Sequence, residues 1–306
     1  MSNTDNHTFG KSFERIFIAL LSVSTGIILI YLAVKGPLFL HHIKYKTAEI
    51  INNQVIGQDL VNLFLLSPIM IAGGVTLYLR KKISKYLLIL TPLYLIYFVL
   101  SYTLGLEWSS PAYSGNSELY SYYFLFVLIS SIVILLYSLS IFPKDVTSTF
   151  KRKGLIIYSF LFSLFILIFA SMWIKEVQEV ISTGTTRGYD IAPAAFWVIR
   201  IFDLGFTIPV GLISVYLLWT RPSTTYPIQF MFYGFFMTMI IAVNSMGLVM
   251  LLNDDPTFLI RDLVVFFTLA LIVFTGFVYI LRNYKIKTDN IVLSESRLSS
   301  GVEKRA

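Results

Sequence analysis

Two pairs of polar residues stand inside stretches of sequence that are otherwise apolar. Arg200 and Asp203 are three residues apart, and Asp59 and Asn62 have the same spacing. Because residues three apart are neighbours on one face of a helix, each pair forms a single polar patch. A charged side chain at the centre of a membrane costs about 2.5–3.5 kcal/mol on insertion scales, so it needs a partner or a ligand. The chemistry that this pattern favours is the binding of a small polar molecule or an ion, with these four residues as the binding groups.

Two prolines and several further polar residues are placed to support such a site. Pro68 follows Asn62 by six residues, and Pro209 follows Asp203 by the same interval. Proline lacks a backbone N–H, so a helix can bend there or turn free carbonyl oxygens towards a cavity. The other supporting residues that we predict are Gln58, Asn244 and Asp262, with Glu107, Glu118, Asp254 and Asp255 around a vestibule that opens outward.

One internal register relates the two pairs. Sliding the sequence along itself without a gap until Asp59 lies on Arg200 also places Asn62 on Asp203. At equal depth, Asp59 is expected to form a desolvated ion pair with Arg200, and Asn62 is expected to donate a hydrogen bond to Asp203. Such a pair can bind a ligand or can simply lock two helices together, and the sequence leaves both interpretations open.

Eight apolar stretches must position these residues, and each is close to the ~20 residues that a helix needs to cross a bilayer. Of the 306 residues, 56% are hydrophobic and 13% are charged, and the mean hydropathy is +0.75. This composition leaves too little polar surface for a water-soluble protein. We therefore predict an all-α polytopic membrane protein with eight transmembrane helices. The stretches are approximately 13–34, 57–79, 86–104, 119–142, 155–174, 194–219, 228–251 and 260–281, and residues 176–181 are expected to continue the fifth helix outward.

The basic residues predict the orientation of the chain. Seventeen of the 24 Lys and Arg residues lie in the joints on the side of the two termini, six lie in the opposite joints, and Arg200 lies within a stretch. By the positive-inside rule, both termini are predicted to be cytoplasmic, in a plasma-membrane protein. Orientation and contact with anionic membrane lipids account for the basic clusters, so we expect no nucleic-acid partner.

The spacing of the stretches suggests two halves. The starts of the first four stretches recur, at a nearly constant interval, as the starts of the second four. An ancient duplication would produce this, and so would a coincidence of apolar segments; duplicated halves would be parallel, related by an axis along the membrane normal. The expected units are a first four-helix half in 1–154, a second in 155–287, and a polar, disordered cytoplasmic tail in 288–306.

Several kinds of site lack the residues they need. The chain has no Cys, and its three His residues lie outside the apolar stretches, at His7, His41 and His42. Disulfides and thiolate metal sites are therefore excluded, and the intramembrane imidazoles expected of haem or copper proteins are missing. There is also no GxSxG motif and no Gly-rich phosphate loop. We expect no cofactor, no metal site and no catalytic residues.

The polar segments bear a limited resemblance to known sequences. Gly57-Gln58-Asp59 at the outer end of the second helix, with Asp203-Leu204-Gly205 and Pro209 in the sixth, resembles an uncharacterised family of prokaryotic multi-pass membrane proteins. The resemblance covers two helices. It implies that these polar positions are a shared feature, and it brings no activity, substrate or cofactor with it.

Three classes of function fit this sequence. The favoured one is a small-molecule or ion transporter, or a related permease-like protein, with an outward-facing polar site. The second is an intramembrane enzyme acting on a lipid or phosphate-bearing substrate, for which two carboxylates and an arginine are available but no evident nucleophile and base. The third is a membrane sensor or assembly factor. Transport is favoured by analogy of architecture.

Overall fold

The protein is an all-α polytopic membrane protein. A computed structural model describes residues 9–107, 114–143 and 146–286, so the expected tail 288–306 lies outside the described residues. Within the described ranges, eight helices are long and apolar enough to cross a membrane. They are α1 (Ser12–Lys35), α2 (Glu49–Tyr78), α3 (Ser84–Gly105), α4 (Ser117–Ile141), α5 (Arg152–Thr183), α6 (Pro193–Thr220), α7 (Tyr226–Leu252) and α8 (Ile260–Arg282).

The ends of two helices extend beyond their apolar stretches. α5 continues beyond its apolar stretch to Thr183, and the sequence predicts this helical continuation over residues 176–181. α2 begins at Glu49, eight residues before its apolar stretch, and Asn52–Val61 is regular α-helix. A contact with another part of the chain holds this early start, because Asn53 in the first turns of α2 donates to Asp255 in the joint between α7 and α8. Hydropathy marks the part of a helix that faces lipid, and it misses a polar turn that packs on another loop.

Two short strands tie the two halves together on one face of the bundle. β1 (Val146–Ser148) follows α4, β2 (Tyr284–Ile286) follows α8, and the two are antiparallel. The Thr149 N–H extends this contact by donating to the Asn283 carbonyl at 2.8 Å. The joint after α4 and the segment after α8 therefore lie on the same face, as an even number of crossings between them requires.

α3 and α7 are the helices through which the halves meet. α7 packs on α2 and α3, and α3 also packs on α6. At the crossing of α7 and α3, a Cβ atom on Gly234 would lie 2.2 Å from the Leu90 carbonyl oxygen, so only glycine permits this approach. Within the first half α1 packs between α2 and α4, and within the second half α5 packs on α6. The least buried helices are α5 and α8.

α2 and α6 are interrupted at corresponding positions. Asn62–Leu66 in α2 and Asp203–Thr207 in α6 are π-helical turns, and the internal register that places Asp59 on Arg200 superposes them. A proline, Pro68 or Pro209, lies two residues after each turn and removes a donor from the α-helical ladder. After each turn, the next backbone N–H donates instead to the carbonyl of Asn62 or Asp203. α3 has a third π-helical turn at Ser101–Gly105.

A contact between the halves also occurs twice. A Cβ on Gly57 of α2 would lie 2.4 Å from Met246 Cα of α7, and a Cβ on Gly105 of α3 would lie 3.7 Å from Val198 Cβ of α6. The internal register takes Gly57 to Val198 and Gly105 to Met246. A two-fold axis along the membrane normal relates contacts in this way. The duplication of 1–154 as 155–287 remains a prediction, with which this packing agrees.

Candidate functional site

Asp203 is the centre of a buried polar cluster. It is the first residue of the π-helical turn in α6 and is only 3% exposed. Three neutral donors hold its carboxylate: the Tyr97 hydroxyl at 3.2 Å, the Trp173 indole N–H at 2.9 Å and the Thr207 hydroxyl at 3.3 Å. The donors come from α3, α5 and α6, so three helices converge on one carboxyl. Hydrogen bonds to both oxygens compensate for its removal from water.

Arg200 lies one turn before Asp203, between two aromatic rings. Its guanidinium carbon is 4.2 Å from the centroid of the Trp173 ring and 4.1 Å from that of Phe196. Two of its nitrogens donate to one carboxylate oxygen of Glu176 on α5. Arg200 is 9% exposed, whereas the Glu176 side chain is 37% exposed. The arginine is thus shielded by cation–π contacts, and its carboxylate partner is the more exposed member of the pair.

The predicted contacts between the two polar pairs are wrong. Arg200 forms its ion pair with Glu176 and not with Asp59, and Asn62 does not donate to Asp203. The reason lies in the packing, since α2 packs on α7 while α6 packs on α3 and α5. Equal depth on corresponding helices does not bring residues together when each helix faces a different neighbour.

Asn62 belongs to a second hydrogen-bonded group. The Gln58 amide donates to Asn62 Oδ1 at 2.9 Å, an i, i+4 contact along α2, and the Tyr94 hydroxyl donates to Gln58 Oε1 at 2.7 Å. Ser67 donates to the Asn62 carbonyl at 2.6 Å, inside the π-helical turn. The Asn62 Nδ2 group is buried and has no hydrogen-bond partner among the described residues. A buried donor without an acceptor is a place where a polar ligand can bind.

α3 joins the two groups through a pair of tyrosines. Tyr94 reaches the amide group on α2, and Tyr97, one turn further, reaches Asp203 on α6. Their rings are 6.2 Å apart and nearly parallel, and both contact Phe235 of α7. The two polar groups are therefore separated by one turn of a single helix.

Asp59 lies apart from both groups, near the turn that follows α1. It is 4% exposed, and the backbone amide of Leu38 hydrogen-bonds to its carboxyl. Its Oδ2 atom has no hydrogen-bond partner among the described residues. Lys35, at the end of α1, donates instead to His42 Nδ1 at 3.0 Å. Asp59 is thus a buried acid whose side chain is only partly satisfied.

The other predicted supporting residues have structural partners. Asn244 donates to the carbonyls of Ile240 at 2.7 Å and Phe266 at 3.1 Å, which joins α7 to α8. Asp262 pairs with Arg187 at 3.2 Å at the surface. These contacts stabilise helix packing and connect the outer joints.

A cavity of about 240 Å³ opens in the first half, at the end of the bundle opposite β1 and β2. Two of the predicted rim residues, Glu107 and Glu118, line it, and both form ion pairs with Lys46, at 3.5 Å and 3.1 Å. Burial, together with the nearby carboxyls of Asp59 and Glu107, raises the pKa of Tyr45 well above its usual value. The cavity is therefore bordered by excess negative charge. The remaining lining residues are Tyr45, Tyr102, Thr103, Ser117, Ser121 and Phe124.

Sequence reasoning missed the partners that complete the site. Trp173 and Glu176 lie at the end of the fifth apolar stretch. They are three residues apart, so they share one face of a helix, and this spacing was a usable signal for a polar contact there. Tyr94 and Tyr97 gave less indication, because tyrosines also anchor helices at membrane interfaces. The described residues contain no group of three or more His, Asp or Glu side chains that could hold a metal ion.

Comparison with known proteins adds no relative. No protein-family model, no curated protein and no solved structure matches this chain.

Proposed function

We propose that this protein is a transporter of a small polar molecule or ion, with its substrate site at the π-helical turns of α2 and α6. The observation that carries the proposal is that the polar group of each half sits on a π-helical turn of that half. Asn62 and Asp203 are themselves the first residues of the two turns. Single π-helical turns inside α-helices occur frequently at functional sites, and secondary transporters bind their substrates near the middle of the membrane, where helices depart from regular α-geometry.

The depth of the two breaks suits this role. Asp203 is ten residues from the outer end of α6, and Asn62 is thirteen residues from that of α2. At ~1.5 Å per residue, they lie about 15 and 20 Å into helices about 42–45 Å long. Both residues are almost completely buried, so the site is closed in this conformation.

The outer approach to Asp203 suggests how a ligand would act. Glu176 is the more exposed member of its ion pair, so a substrate with an anionic group can compete with Glu176 for the Arg200 guanidinium. Displacing Glu176 removes a contact between α5 and α6. A binding event of this kind shifts the balance between two packings of the helices, as alternating access requires. A carboxylate, sulfonate or phosphate group is the substrate feature that this site favours.

The orientation belongs to the same proposal. The face that carries β1 and β2 also holds the short basic joints, so we place both termini in the cytoplasm and the 240 Å³ cavity on the outer side of the plasma membrane.

Cysteine accessibility tests alternating access without knowledge of the substrate. The chain has no Cys, so a single Cys at position 207 reports on that position alone. Thr207 contacts Asp203 in the closed form, so it lies at the proposed substrate site. If the site opens alternately to each side, Thr207→Cys should react with a membrane-impermeant maleimide from both faces of oriented vesicles. Phe206→Cys, which is exposed on the lipid side of the same turn, is the matched control and should react from neither face. Absence of labelling of Thr207→Cys from either face would overturn the transport proposal.

Binding is tested by thermal shift on the detergent-purified full chain. The probes are amino acids, nucleoside phosphates and inorganic anions, followed by uptake of any stabilising compound into proteoliposomes. Arg200→Ala should abolish both the shift and the uptake, whereas Arg261→Ala, a change at an arginine that is mostly exposed, should leave them unchanged. Uptake that survives Arg200→Ala would remove this site from the mechanism.

A further inference from the structure

We propose that Asp59 is a proton-binding residue that exchanges its proton with the outer face of the membrane. This inference deepens the proposed transport function, for which the proton is the coupling ion. The binding of the proton itself is argued from the surroundings of Asp59 and is measured without any transport assay.

The Asp59 carboxyl has unmet hydrogen-bonding capacity. Asp203 has donors on both oxygens, whereas Asp59 has the Leu38 amide and a buried Oδ2 with no partner among the described residues. Burying a charged oxygen without a donor is strongly unfavourable. A proton on Oδ2 removes the unmet charge and needs no further side chain.

The corresponding positions of the other half differ in this respect. The internal register takes Lys35 and Asp59 to Glu176 and Arg200, so each half has one acid and one base with the signs exchanged. In the second half they form an ion pair. In the first half Lys35 donates to His42 instead, and no ion pair with Asp59 is formed among the described residues. Asp59 therefore has no cationic side-chain partner there, and a proton from solution can supply the missing positive charge.

The space around Oδ2 favours a small cation. A Cβ atom on Gly36 would lie 2.4 Å from Asp59 Oδ2, so the backbone that follows α1 lies close to this buried oxygen and leaves no room for an organic ammonium group on that side. The described residues contain no group of three or more His, Asp or Glu side chains that could hold a metal ion. A proton needs neither additional space nor further ligands.

A route from outside ends close to this acid. The cavity of about 240 Å³ is large enough for several water molecules, and Tyr45 and Tyr102 form part of its wall. Tyr45 belongs to the joint between α1 and α2, the same segment whose Gly36 lies against Asp59 Oδ2. The Tyr45 and Tyr102 rings meet edge to face at 5.7 Å. Phenol hydroxyls in the wall of a wet cavity can pass a proton onward to a buried acid.

The charged groups around Asp59 are few. Lys35 lies at the end of α1, and the Lys46 ion pair with Glu107 lies across the cavity. α7, which packs on this part of α2, contains no titratable side chain from residue 234 to residue 252. Asp59 itself is three residues before Asn62, where the π-helical turn begins. A change of charge at Asp59 therefore acts within one turn of the break in α2.

Infrared spectroscopy of the full chain in lipid nanodiscs tests the proposal. A protonated carboxyl gives a C=O stretching band that a carboxylate lacks, and the band disappears as the pH is raised. The difference spectrum between low and high pH of the wild type should contain a carboxyl C=O band that is absent in Asp59→Asn and present in Asp203→Asn. Tyr45→Phe with Tyr102→Phe should keep the band and slow its shift after transfer to D2O, because the hydroxyl route is removed.

Two results would overturn the proposal. One is a wild-type spectrum identical to that of correctly folded Asp59→Asn at every pH. The other is a thermal stabilisation by Na⁺ against choline that Asp59→Asn abolishes, because it would show a metal ion at this carboxyl. If Asp59→Asn does not fold, solid-state NMR of the wild type with ¹³C-labelled aspartate provides the same titration. The spectrum should then contain the signal of a protonated aspartate that persists in Asp203→Asn, and absence of this signal would overturn the proposal. Failure of the Thr207→Cys test with the band present would reject transport and leave the proton site standing.

Discussion

Asn62 and Asp203 occupy equivalent positions in the two halves, and each is the residue at which a membrane helix changes from α to π geometry. In both helices the backbone N–H after the turn donates to the carbonyl of this residue, and a proline follows at the same distance. The side chains differ, since one is an amide bonded to Gln58 and the other a carboxylate held by three donors. The backbone break is thus common to both halves, while the chemistry on it is specific to each.

The ion pair between Glu176 and Arg200 is expected to stabilise the contact of α5 with α6. Glu176→Gln leaves a mostly buried guanidinium without its carboxylate, which should lower the free energy of unfolding by about 1–3 kcal/mol, less than for a fully buried pair because Glu176 is partly exposed. Thermal unfolding in detergent measures the loss. Glu179→Gln, a change at an exposed residue on the same helix, is the control and should shift stability by no more than about 0.5 kcal/mol. Equal effects of the two substitutions would contradict a specific role for the pair.

Trp173 has two separable contacts. Its indole N–H donates to Asp203 at 2.9 Å, and its ring lies against Arg200. Trp173→Phe keeps a ring at this place and removes only the donor, so stability should fall by about 1.5–3 kcal/mol, as for a hydrogen bond to a charged group. Trp219→Phe removes an exposed hydrogen bond to Ser159 and should have a smaller effect. Chemical unfolding followed by the remaining tryptophan fluorescence compares the two, and a larger loss in Trp219→Phe would be inconsistent with the cluster described above.

The membrane class, the eight membrane-spanning helices and the helical extension of α5 could be predicted, because each depends on properties that a single helix carries in its own sequence. An apolar stretch of about 20 residues is a local property of the chain. The i, i+4 contact of Gln58 with Asn62 is local as well. The prolines also gave a local signal for the breaks, because the backbone at Pro68 and Pro209 must be irregular whatever their neighbours are.

The partners of the buried charges could not be predicted, because they depend on which helices touch. Any of several acids could have neutralised Arg200, and only the packing of α5 on α6 selects Glu176 over Asp59. The register between the halves indicated equal depth and carried no information on lateral distance. The packing of α2 on α7 and of α6 on α3 separates these residues, so an internal register identifies corresponding positions and does not identify contacts.

Asp255 should make the outer loops sensitive to acid. It accepts hydrogen bonds from Asn53 at 2.9 Å and from the Thr257 amide and hydroxyl at 2.8 and 2.6 Å. Burial opposes ionisation, but these hydrogen bonds outweigh it and lower the pKa of Asp255 below its usual value. A group with a depressed folded-state pKa stabilises the protein above its unfolded pKa of about 3.9, and this stability is lost as the pH falls through the folded value.

The measurement for Asp255 is thermal unfolding between about pH 6 and about pH 3. Asp255→Asn should lower stability at the upper end of this range and flatten its fall towards the lower end. Asp254→Asn is the control, because Asp254 is exposed and has a positive φ of 48°, a conformation that asparagine adopts readily. An unchanged acid slope in Asp255→Asn would show that this carboxyl does not control the loop.

Single cysteines should locate the two faces. Ser182, near the outer end of α5, and Thr224, in the turn between α6 and α7, are separated by one membrane crossing, and both have hydroxyls at exposed positions. In intact cells Ser182→Cys should react with a membrane-impermeant maleimide, and Thr224→Cys should react only after permeabilisation. The reverse pattern would place the termini outside and invert the assignment of the 240 Å³ cavity.

The crossing of α7 with α3 should tolerate no side chain at Gly234. Gly234→Ala places a methyl group 2.2 Å from the Leu90 carbonyl oxygen, and because that neighbour is backbone, the helices themselves must move apart. We expect a loss of about 1–3 kcal/mol, together with impaired transport, since the halves meet at this crossing. Gly247→Ala on the same helix meets only the tip of the Leu263 side chain at 3.2 Å, which can rotate away, so its effect should stay within about 0.5 kcal/mol. Equal stability of the two variants would mean that the halves are not packed as closely at Gly234 as the helix crossing requires.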